Sequence, residues 1–298
     1  MSNPLMSIVR VILPAILVYA AYTYLGPAAG IGLLVVLAIL YLILNRTFIY
    51  QNRAGKKYQK GDYEGALADL KAAVASAPKN PNARGTYAFL LVKMGYNDEA
   101  AAEIDKAIEH AVTETDRKSL TVTKALVLWK QGKTDEAIKV LEDLLMTYEN
   151  TNVYATLGFL YIEKGDYSKA LEFNLKARDF NSTNAIILDN LGYTYYLLGD
   201  YDNALETYQE AMKNKPNFPE AFYNYARVLE KKGDLEKALY MVRYALTLRF
   251  WNTSTVKKEE VEAYLAELEV KEKAMEAEKQ EKQEEHENQE PNEPINNI

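Results

Sequence analysis

Six glycines recur along most of the chain at nearly constant intervals, and this periodicity constrains the fold more than any other feature. They stand at Gly61, Gly95, Gly132, Gly165, Gly199 and Gly233, so the successive intervals are 34, 37, 33, 34 and 34 residues. Five residues after each glycine there is an alanine, at Ala66, Ala100, Ala137, Ala170, Ala204 and Ala238. Seven residues before each there is another small residue, in order Ala54, Ala88, Ala125, Gly158, Gly192 and Ala226. A repeat of this length predicts an array of similar units, each stabilised by its neighbours.

Each unit is predicted to contain two antiparallel helices joined by a tight turn. Small residues on both sides of the turn allow the two helices to cross closely without leaving voids. The turn glycine suits the left-handed backbone conformation that ends a helix. An aspartate follows four of these glycines, where its carboxylate can cap the second helix: Asp62, Asp166, Asp200 and Asp234.

The unit from Ala185 to Phe218 carries the fullest version of the pattern: Leu191, Gly192, Tyr195, Gly199, Tyr201, Ala204, Tyr208, Ala211 and Pro216. This pattern resembles the tetratricopeptide repeat, and the resemblance covers roughly residues 47–252. It implies an all-α solenoid of six helix-turn-helix repeats, at about 47–80, 81–114, 118–150, 151–184, 185–218 and 219–252. Repeats two and three depart from it, with Arg84 and Thr121 at the family's first large position and a three-residue insertion around Thr113 to Asp116.

An apolar stretch precedes the repeats. Residues 8–44 are almost wholly apolar, with an interruption at Gly26 to Gly30 that divides the stretch into residues 8–25 and 28–44. As helices, each part is roughly 26 Å long, slightly short of a ~30 Å hydrocarbon core but workable with flanking residues. Residues 1–45 are therefore predicted to form a transmembrane helical hairpin that contacts membrane lipids through residues 8–44.

The basic residues around this stretch predict its orientation. Arg10 precedes the first span, and five cations follow the second before any acidic residue: Arg46, Arg53, Lys56, Lys57 and Lys60. The positive-inside rule places both ends of this two-span anchor, and hence the repeats, in the cytoplasm. A cleaved signal peptide ending near Pro27 to Gly30 is the alternative. The second span either continues into the first repeat helix or unwinds at Asn45 to Thr47 into a short linker.

The C-terminal region departs from the repeat pattern after Asn252. Val261, Leu265 and Leu268, with Tyr264 beside them, predict a capping helix within residues 253–272 that covers the last repeat. Residues 273–298 form an acidic tail, predicted to be helical and then disordered from about Glu285. Residues 256–298 contain 6 Lys and 14 Glu, a net charge of −8, against −7 for the whole chain. The repeat region is therefore close to neutral.

This composition excludes several classes of function. The chain has no cysteine and only two histidines, which disfavours thiolate catalysis and Cys or His metal sites. A nearly neutral repeat region lacks the concentrated basic face that nucleic acids require. No phosphate-binding loop or catalytic triad is present in the sequence. We therefore expect neither an enzyme nor a cofactor or metal site.

The resemblance also implies where a partner binds. In the tetratricopeptide repeat family, positions two, five, nine and twelve of each first helix face a concave groove, and at these positions this sequence is apolar and aromatic through its middle repeats. The resulting candidate residues are Tyr58, Phe89, Leu126, Trp129, Phe159, Ile162, Asp189, Tyr193, Tyr196, Tyr223 and Arg227. Such a groove would accept an apolar segment of a partner protein. The alternative is that individual members are buried between helices or beneath the chain's own C-terminus.

The function predicted from these features is a membrane-anchored scaffold for protein–protein interactions. Two alternatives are a membrane-held chaperone or assembly factor for exported or membrane proteins, and a regulatory subunit of a membrane complex. The sequence does not identify the partner or the oligomeric state.

Overall fold

The computed structural model describes residues 4–289, together with the side chains of residues 12–283. Within this range the chain forms fifteen α-helices and no strand. Helices α1 (Pro4–Leu25) and α2 (Pro27–Leu44) precede six helix pairs, and α15 (Lys258–Gln289) follows them. The pairs are α3 (Arg46–Gln59) with α4 (Tyr63–Ser76), α5 (Pro81–Met94) with α6 (Asn97–Glu109), α7 (Glu114–Lys130) with α8 (Thr134–Leu145), α9 (Thr151–Glu163) with α10 (Tyr167–Phe180), α11 (Ala185–Leu197) with α12 (Tyr201–Lys213), and α13 (Pro219–Lys231) with α14 (Leu235–Ala245).

The turn inside each pair has the predicted backbone geometry. All six turn glycines have positive φ, between 78° and 94°. The four aspartates accept a hydrogen bond from the backbone N–H three residues later, as at Asp62, whose Oδ1 lies 2.9 Å from Gly65 N. The corresponding distances at Asp166, Asp200 and Asp234 are 3.1, 3.2 and 3.2 Å. The predicted turns and caps are thus confirmed.

The small residues lie where the helices of each pair cross. The alanines flanking the turns are no more than 2% exposed. A Cβ atom on Gly192 would lie 2.7 Å from Cε2 of Tyr208, closer than real Cβ contacts occur. The ring of Tyr208 therefore packs directly against the backbone of α11, which explains why a small residue is needed at this position.

Neighbouring repeats stack into an α-solenoid. From the second repeat onward each first helix contacts the first helix of the next repeat, and each second helix also contacts that helix. The buried core is divided into successive clusters along the stack rather than gathered at one centre, because each repeat buries its apolar face only against its neighbours. The part of the chain described by the structure is therefore an all-helical tetratricopeptide-like solenoid.

Two of the departures in repeats two and three, Arg84 and the insertion, have local structural explanations. Arg84 is buried, and its guanidinium forms an ion pair with Glu103 and donates to the carbonyl of Pro78 at 2.6 Å. The insertion lengthens α7, which has 17 residues whereas the other repeat helices have 11 to 14. Thr113 caps the extended end by accepting from Asp116 N at 3.0 Å. The solenoid consequently accommodates the insertion inside a helix.

Helix α15 packs on the last repeat. Val261 and Leu268 are fully buried there, and Tyr264 and Leu265 are partly buried against the same core. The predicted apolar stripe thus covers the end of the solenoid. The helix begins at Lys258, after a connection of residues 246–257 that we call the strap. It continues to Gln289, past the position where disorder is expected, and residues 290–298 lie outside the described part of the chain.

Helices α1 and α2 form a hairpin around Gly26, which has φ 95°. Gly30 allows close packing, since a Cβ there would lie 2.5 Å from Cβ of Tyr22. By length and composition α2 is apolar enough to cross a membrane, and residues 12–25 of α1 form a shorter apolar helix. At Asn45 a single residue leaves helical geometry, while helical hydrogen bonds of 3.0 Å reach it from both sides. The junction with α3 is therefore a one-residue interruption of the helix.

Candidate functional site

Seven of the expected groove residues lie side by side on four consecutive first helices, α7, α9, α11 and α13. These helices contact one another in series, so their partly exposed side chains form one continuous surface. We call this surface the groove, and it comprises Leu126, Trp129, Phe159, Tyr193, Tyr196, Tyr223 and Arg227.

One end of the groove is aromatic. The rings of Trp129 and Phe159 meet edge to face, with their centroids 4.7 Å apart, and both remain partly exposed. The ammonium group of Lys130 lies 4.3 Å from the Trp129 centroid. Burial lowers the pKa of Lys130, with the nearby Glu163 opposing the shift. This end therefore combines two nearly perpendicular aromatic rings with a cation over the face of one of them.

The other end of the groove is a cage of tyrosine rings around Arg227. Its guanidinium carbon lies 5.6, 4.4 and 5.5 Å from the ring centroids of Tyr193, Tyr196 and Tyr223. Burial raises the pKa of Tyr223, and the Arg227 charge opposes that rise. Among the residues whose side chains are described, no carboxylate lies within 4.0 Å of Arg227. The cage thus holds a positive charge that no acidic group of the described chain neutralises by direct contact.

Asp189 does not face the groove, contrary to the expectation for the fifth position of α11. It is 7% exposed and its Oδ1 accepts hydrogen bonds from the Tyr208 hydroxyl at 2.9 Å and from Asn224 Nδ2 at 3.3 Å. Burial raises the pKa of Asp189 to about 7, and Glu220 raises it further, while the two hydrogen bonds oppose the rise. Its side chain points between α11, α12 and α13, so it belongs to the core and is not available to a partner.

Ile162 is a second correction. It is 6% exposed and packs into the core shared by repeats three and four. Phe159, one turn earlier on the same helix, is partly exposed and is the residue that reaches the groove. An apolar residue at a groove position of the sequence pattern is therefore not sufficient to predict exposure.

The C-terminal part of the chain contacts two of the candidate residues, Tyr58 and Tyr223. Tyr58 is covered by Trp251 of the strap, with their rings stacked at a centroid distance of 5.9 Å. Tyr223 meets Tyr264 of α15 edge to face at 5.4 Å. Phe89 is 41% exposed. The strap thus covers Tyr58 in the first repeat, whereas Phe89 in the second repeat stays exposed.

Sequence reasoning missed the strap residues that make these contacts. Arg249, Trp251 and Asn252 follow the last repeat helix, where the periodic pattern carries no information. The one available signal was Trp251 itself, since the chain contains only two tryptophans. Among the described residues, no group of three or more His, Asp or Glu side chains lies close enough together to hold a metal ion.

Comparisons with known proteins agree with this architecture. Two sequence profiles described as tetratricopeptide repeat match residues 57–121 and 107–249. The TPR repeat-containing protein MJ1428 of Methanocaldococcus jannaschii is 24% identical over 178 residues, which is 57% of this chain and 31% of that protein. This chain therefore aligns with about a third of the length of that relative.

Solved structures show the same fold. A tetratricopeptide repeat protein from Parabacteroides merdae superposes with a TM-score of 0.59 and 12% identity, over 74% of this chain and 84% of its own. PilF of Pseudomonas aeruginosa superposes with a TM-score of 0.52 and 16% identity, over 68% of this chain and 91% of its own. At these identities the similarity establishes the solenoid architecture.

Proposed function

We propose that this protein, whose residues 57–249 match tetratricopeptide repeat profiles, is a membrane-anchored scaffold that holds an apolar segment of a partner protein in its groove. The observation that carries the proposal is the line of partly exposed aromatic side chains across four adjacent helices: Trp129, Phe159, Tyr193 and Tyr196. Aromatic side chains in a continuous surface supply the large contact area on which most interface binding energy depends.

The charge at the end of the groove adds a requirement for the partner. Arg227 lies on tyrosine rings and has no described carboxylate partner. Its five N–H groups are donors that an incoming carboxylate or backbone carbonyl can satisfy. The segment that fits best is therefore apolar along repeats three and four and carries an acceptor group where it meets repeat six.

Helices α1 and α2 provide the anchor in this proposal. Their outward side chains are large, apolar and exposed, as at Leu34, Ile39 and Leu42, which is the surface that lipid tails would cover. The cations following α2 favour a cytoplasmic solenoid. Because Asn45 is a one-residue interruption, the solenoid stands close to the membrane. Recruitment then works by raising the local concentration of the partner, without chemistry.

The groove can be tested by site-specific photo-crosslinking in intact cells. A photoreactive residue is placed at Phe159 or Tyr193, and the control carries it at Tyr240, which is 63% exposed on α14. We expect one dominant protein adduct from the two groove positions and none of that mass from the control. Many unrelated adducts would instead favour the chaperone function, and adducts identical at all three positions would refute the groove as the binding surface.

Partner binding is then measured with Arg227→Gln and Phe159→Ala. Loss of an aromatic or arginine anchor at the centre of an interface typically weakens binding at least about tenfold. Thermal unfolding of each variant controls for damage to the fold. Wild-type affinity in both variants would contradict the proposal.

The anchor is tested separately by cysteine labelling, because the natural chain has no cysteine. Tyr24→Cys at the hairpin turn should react with a membrane-impermeant maleimide added outside intact cells, and Asn52→Cys, at an exposed position of α3, only after permeabilisation. The opposite pattern would reverse the orientation. Loss of the N-terminal residues from the mature protein would support a signal peptide.

A further inference from the structure

The strap joins the end of the solenoid to its beginning. Trp251 enters a box made by the first two repeats, with its ring stacked on Tyr58 and 4.7 Å from Tyr63 edge to face. The ammonium group of Lys93 lies 4.1 Å from the Trp251 centroid and donates to the Tyr58 hydroxyl at 2.7 Å. Arg249, also in the strap, lies 4.1 Å from the Tyr63 ring. A single side chain from the sixth repeat's end thus contacts residues almost 200 positions earlier.

Asn252 holds the strap against α5 and α6 by three hydrogen bonds. Its backbone N–H donates to the carbonyl of Lys93 at 2.9 Å, and its side-chain amide donates to the carbonyl of Val92 at 2.8 Å and to Asn97 Oδ1 at 3.0 Å. The carbonyls at the end of a helix have no partner within the helix. Asn252 therefore gives the Lys93 carbonyl at the end of α5 a donor, and adds a second donor to the Val92 carbonyl, which also accepts from Gly95 N at 3.3 Å.

The strap is also fixed at its other end. Thr255 N donates to Glu220 Oε1 at 2.9 Å, at the start of α13, and Val256 is buried in the core of the last repeats. Only the few residues between these points bridge the two ends of the solenoid. Among the described helices, no extensive helix-to-helix packing joins the first two repeats to α13, α14 or α15. The closure consequently depends on Trp251 and Asn252.

We propose that Tyr58, Tyr63 and the α5–α6 turn form a receptor site for an extended aromatic–asparagine segment, and that its occupant is this chain's own strap, acting as a releasable latch. Two like charges, Lys93 and Arg249, share the Trp251 ring at 4.1 and 4.4 Å, and their repulsion favours release. When the latch is closed, Trp251 covers Tyr58, which is then unavailable to any other ligand. The consequence for partner access rests on the function proposed above, whereas the latch itself does not.

The latch can be observed with the natural tryptophan. In the full chain carrying Trp129→Phe, Trp251 is the sole tryptophan. Adding Asn252→Ala should raise the acrylamide quenching constant of Trp251 roughly threefold, because the ring leaves its stack of tyrosines and cations. The matched control is Asn214→Ala, whose side-chain amide donates a hydrogen bond within its own helix end, to Glu210 O. Equal quenching in all three proteins, at unchanged thermal stability, would overturn the proposal.

The receptor site is tested with a fluorescent peptide of residues 246–257. The full chain carrying Trp251→Ala and Asn252→Ala should bind the peptide at least about tenfold more tightly than the wild type, where the tethered strap competes at high effective concentration. Adding Tyr58→Ala should abolish the gain. Equal binding of the peptide to the wild type and to the double variant would refute occupation of the site by the strap of the same chain. Protection of Trp251 that depends on protein concentration would refute it too, because it indicates exchange of straps between copies. No groove partner is present, so failure of the latch is distinguishable from failure of the scaffold function.

Discussion

Asp189→Asn should remove a large part of the pH dependence of folding. Asp189 is buried and its pKa is raised from 3.8 to about 7, chiefly by burial. When the pKa of a carboxyl group is higher in the folded chain than in the unfolded chain, its contribution to stability is fully present below the unfolded-state pKa. That contribution is lost as the pH rises through the folded-state pKa. The protein should therefore become less stable from about pH 4 to about pH 7 because of this one residue, and the loss should level off above that range.

The size of the effect follows from the two pKa values. With 3.8 in the unfolded chain and about 7 in the folded chain, proton linkage gives a loss of roughly 2–3 kcal/mol between pH 5 and pH 8. The asparagine does not ionise, yet its Oδ1 can still accept from the Tyr208 hydroxyl and from Asn224, as Asp189 does. We therefore expect the stability difference between the variant and the wild type to shift in favour of the variant by about that amount between pH 5 and pH 8.

The assay is urea denaturation of the full chain in detergent at pH 5 and pH 8, followed by tryptophan fluorescence. Asp202→Asn is the control, since Asp202 is an exposed carboxylate of the same repeat that pairs with Lys232 at 2.6 Å. It should leave the pH dependence close to that of the wild type. If the wild type and Asp189→Asn lose stability in parallel between the two pH values, the assignment of a neutral, buried Asp189 is refuted.

Two further pairs of substitutions test the packing described above by the same denaturation assay. Gly192→Ala should lower the free energy of unfolding by about 1–3 kcal/mol, because its Cβ would meet the Tyr208 ring at 2.7 Å. Gly55→Ala, in open space on α3, should raise the free energy of unfolding by about 0.5–1 kcal/mol. Equal effects of the two substitutions would contradict the close crossing of α11 and α12. Leu268→Ala should cost about 2–5 kcal/mol and expose the end of the solenoid, whereas the exposed Val270→Ala should change stability by less than about 0.5 kcal/mol. A negligible effect at Leu268 would show that α15 does not cap the repeats.

The repeat pattern predicted the backbone well because its rules are local. A glycine with positive φ and an aspartate three residues before a free N–H act within one turn, and the structure shows both at Gly199 and Asp200. The burial of the alanines follows equally directly from the crossing of two neighbouring helices. Local chemistry and nearest-neighbour packing thus account for most of the solenoid.

The exposure of groove residues was less predictable because it depends on neighbours that the repeat pattern does not specify. Asp189 is buried because Tyr208 and Asn224 offer it hydrogen bonds, and Tyr58 is covered because a segment almost 200 residues later reaches it. The position of a residue in a repeat gives its direction from the helix axis, but not what another part of the chain places in front of it. Contacts across the solenoid therefore had to come from the structure.

The strap also changes how the molecule would carry mechanical load. A solenoid held only at its two ends behaves as a spring, because tension is distributed over all the interfaces between repeats. Here the strap connects the beginning of α15 to α5 and Tyr58 directly, so tension between the hairpin and α15 would bypass the intervening repeats. In a single-molecule pulling experiment the strap should rupture before the repeats extend, and Asn252→Ala should remove that first event. A closed latch would thereby keep the groove's shape independent of force on the anchor.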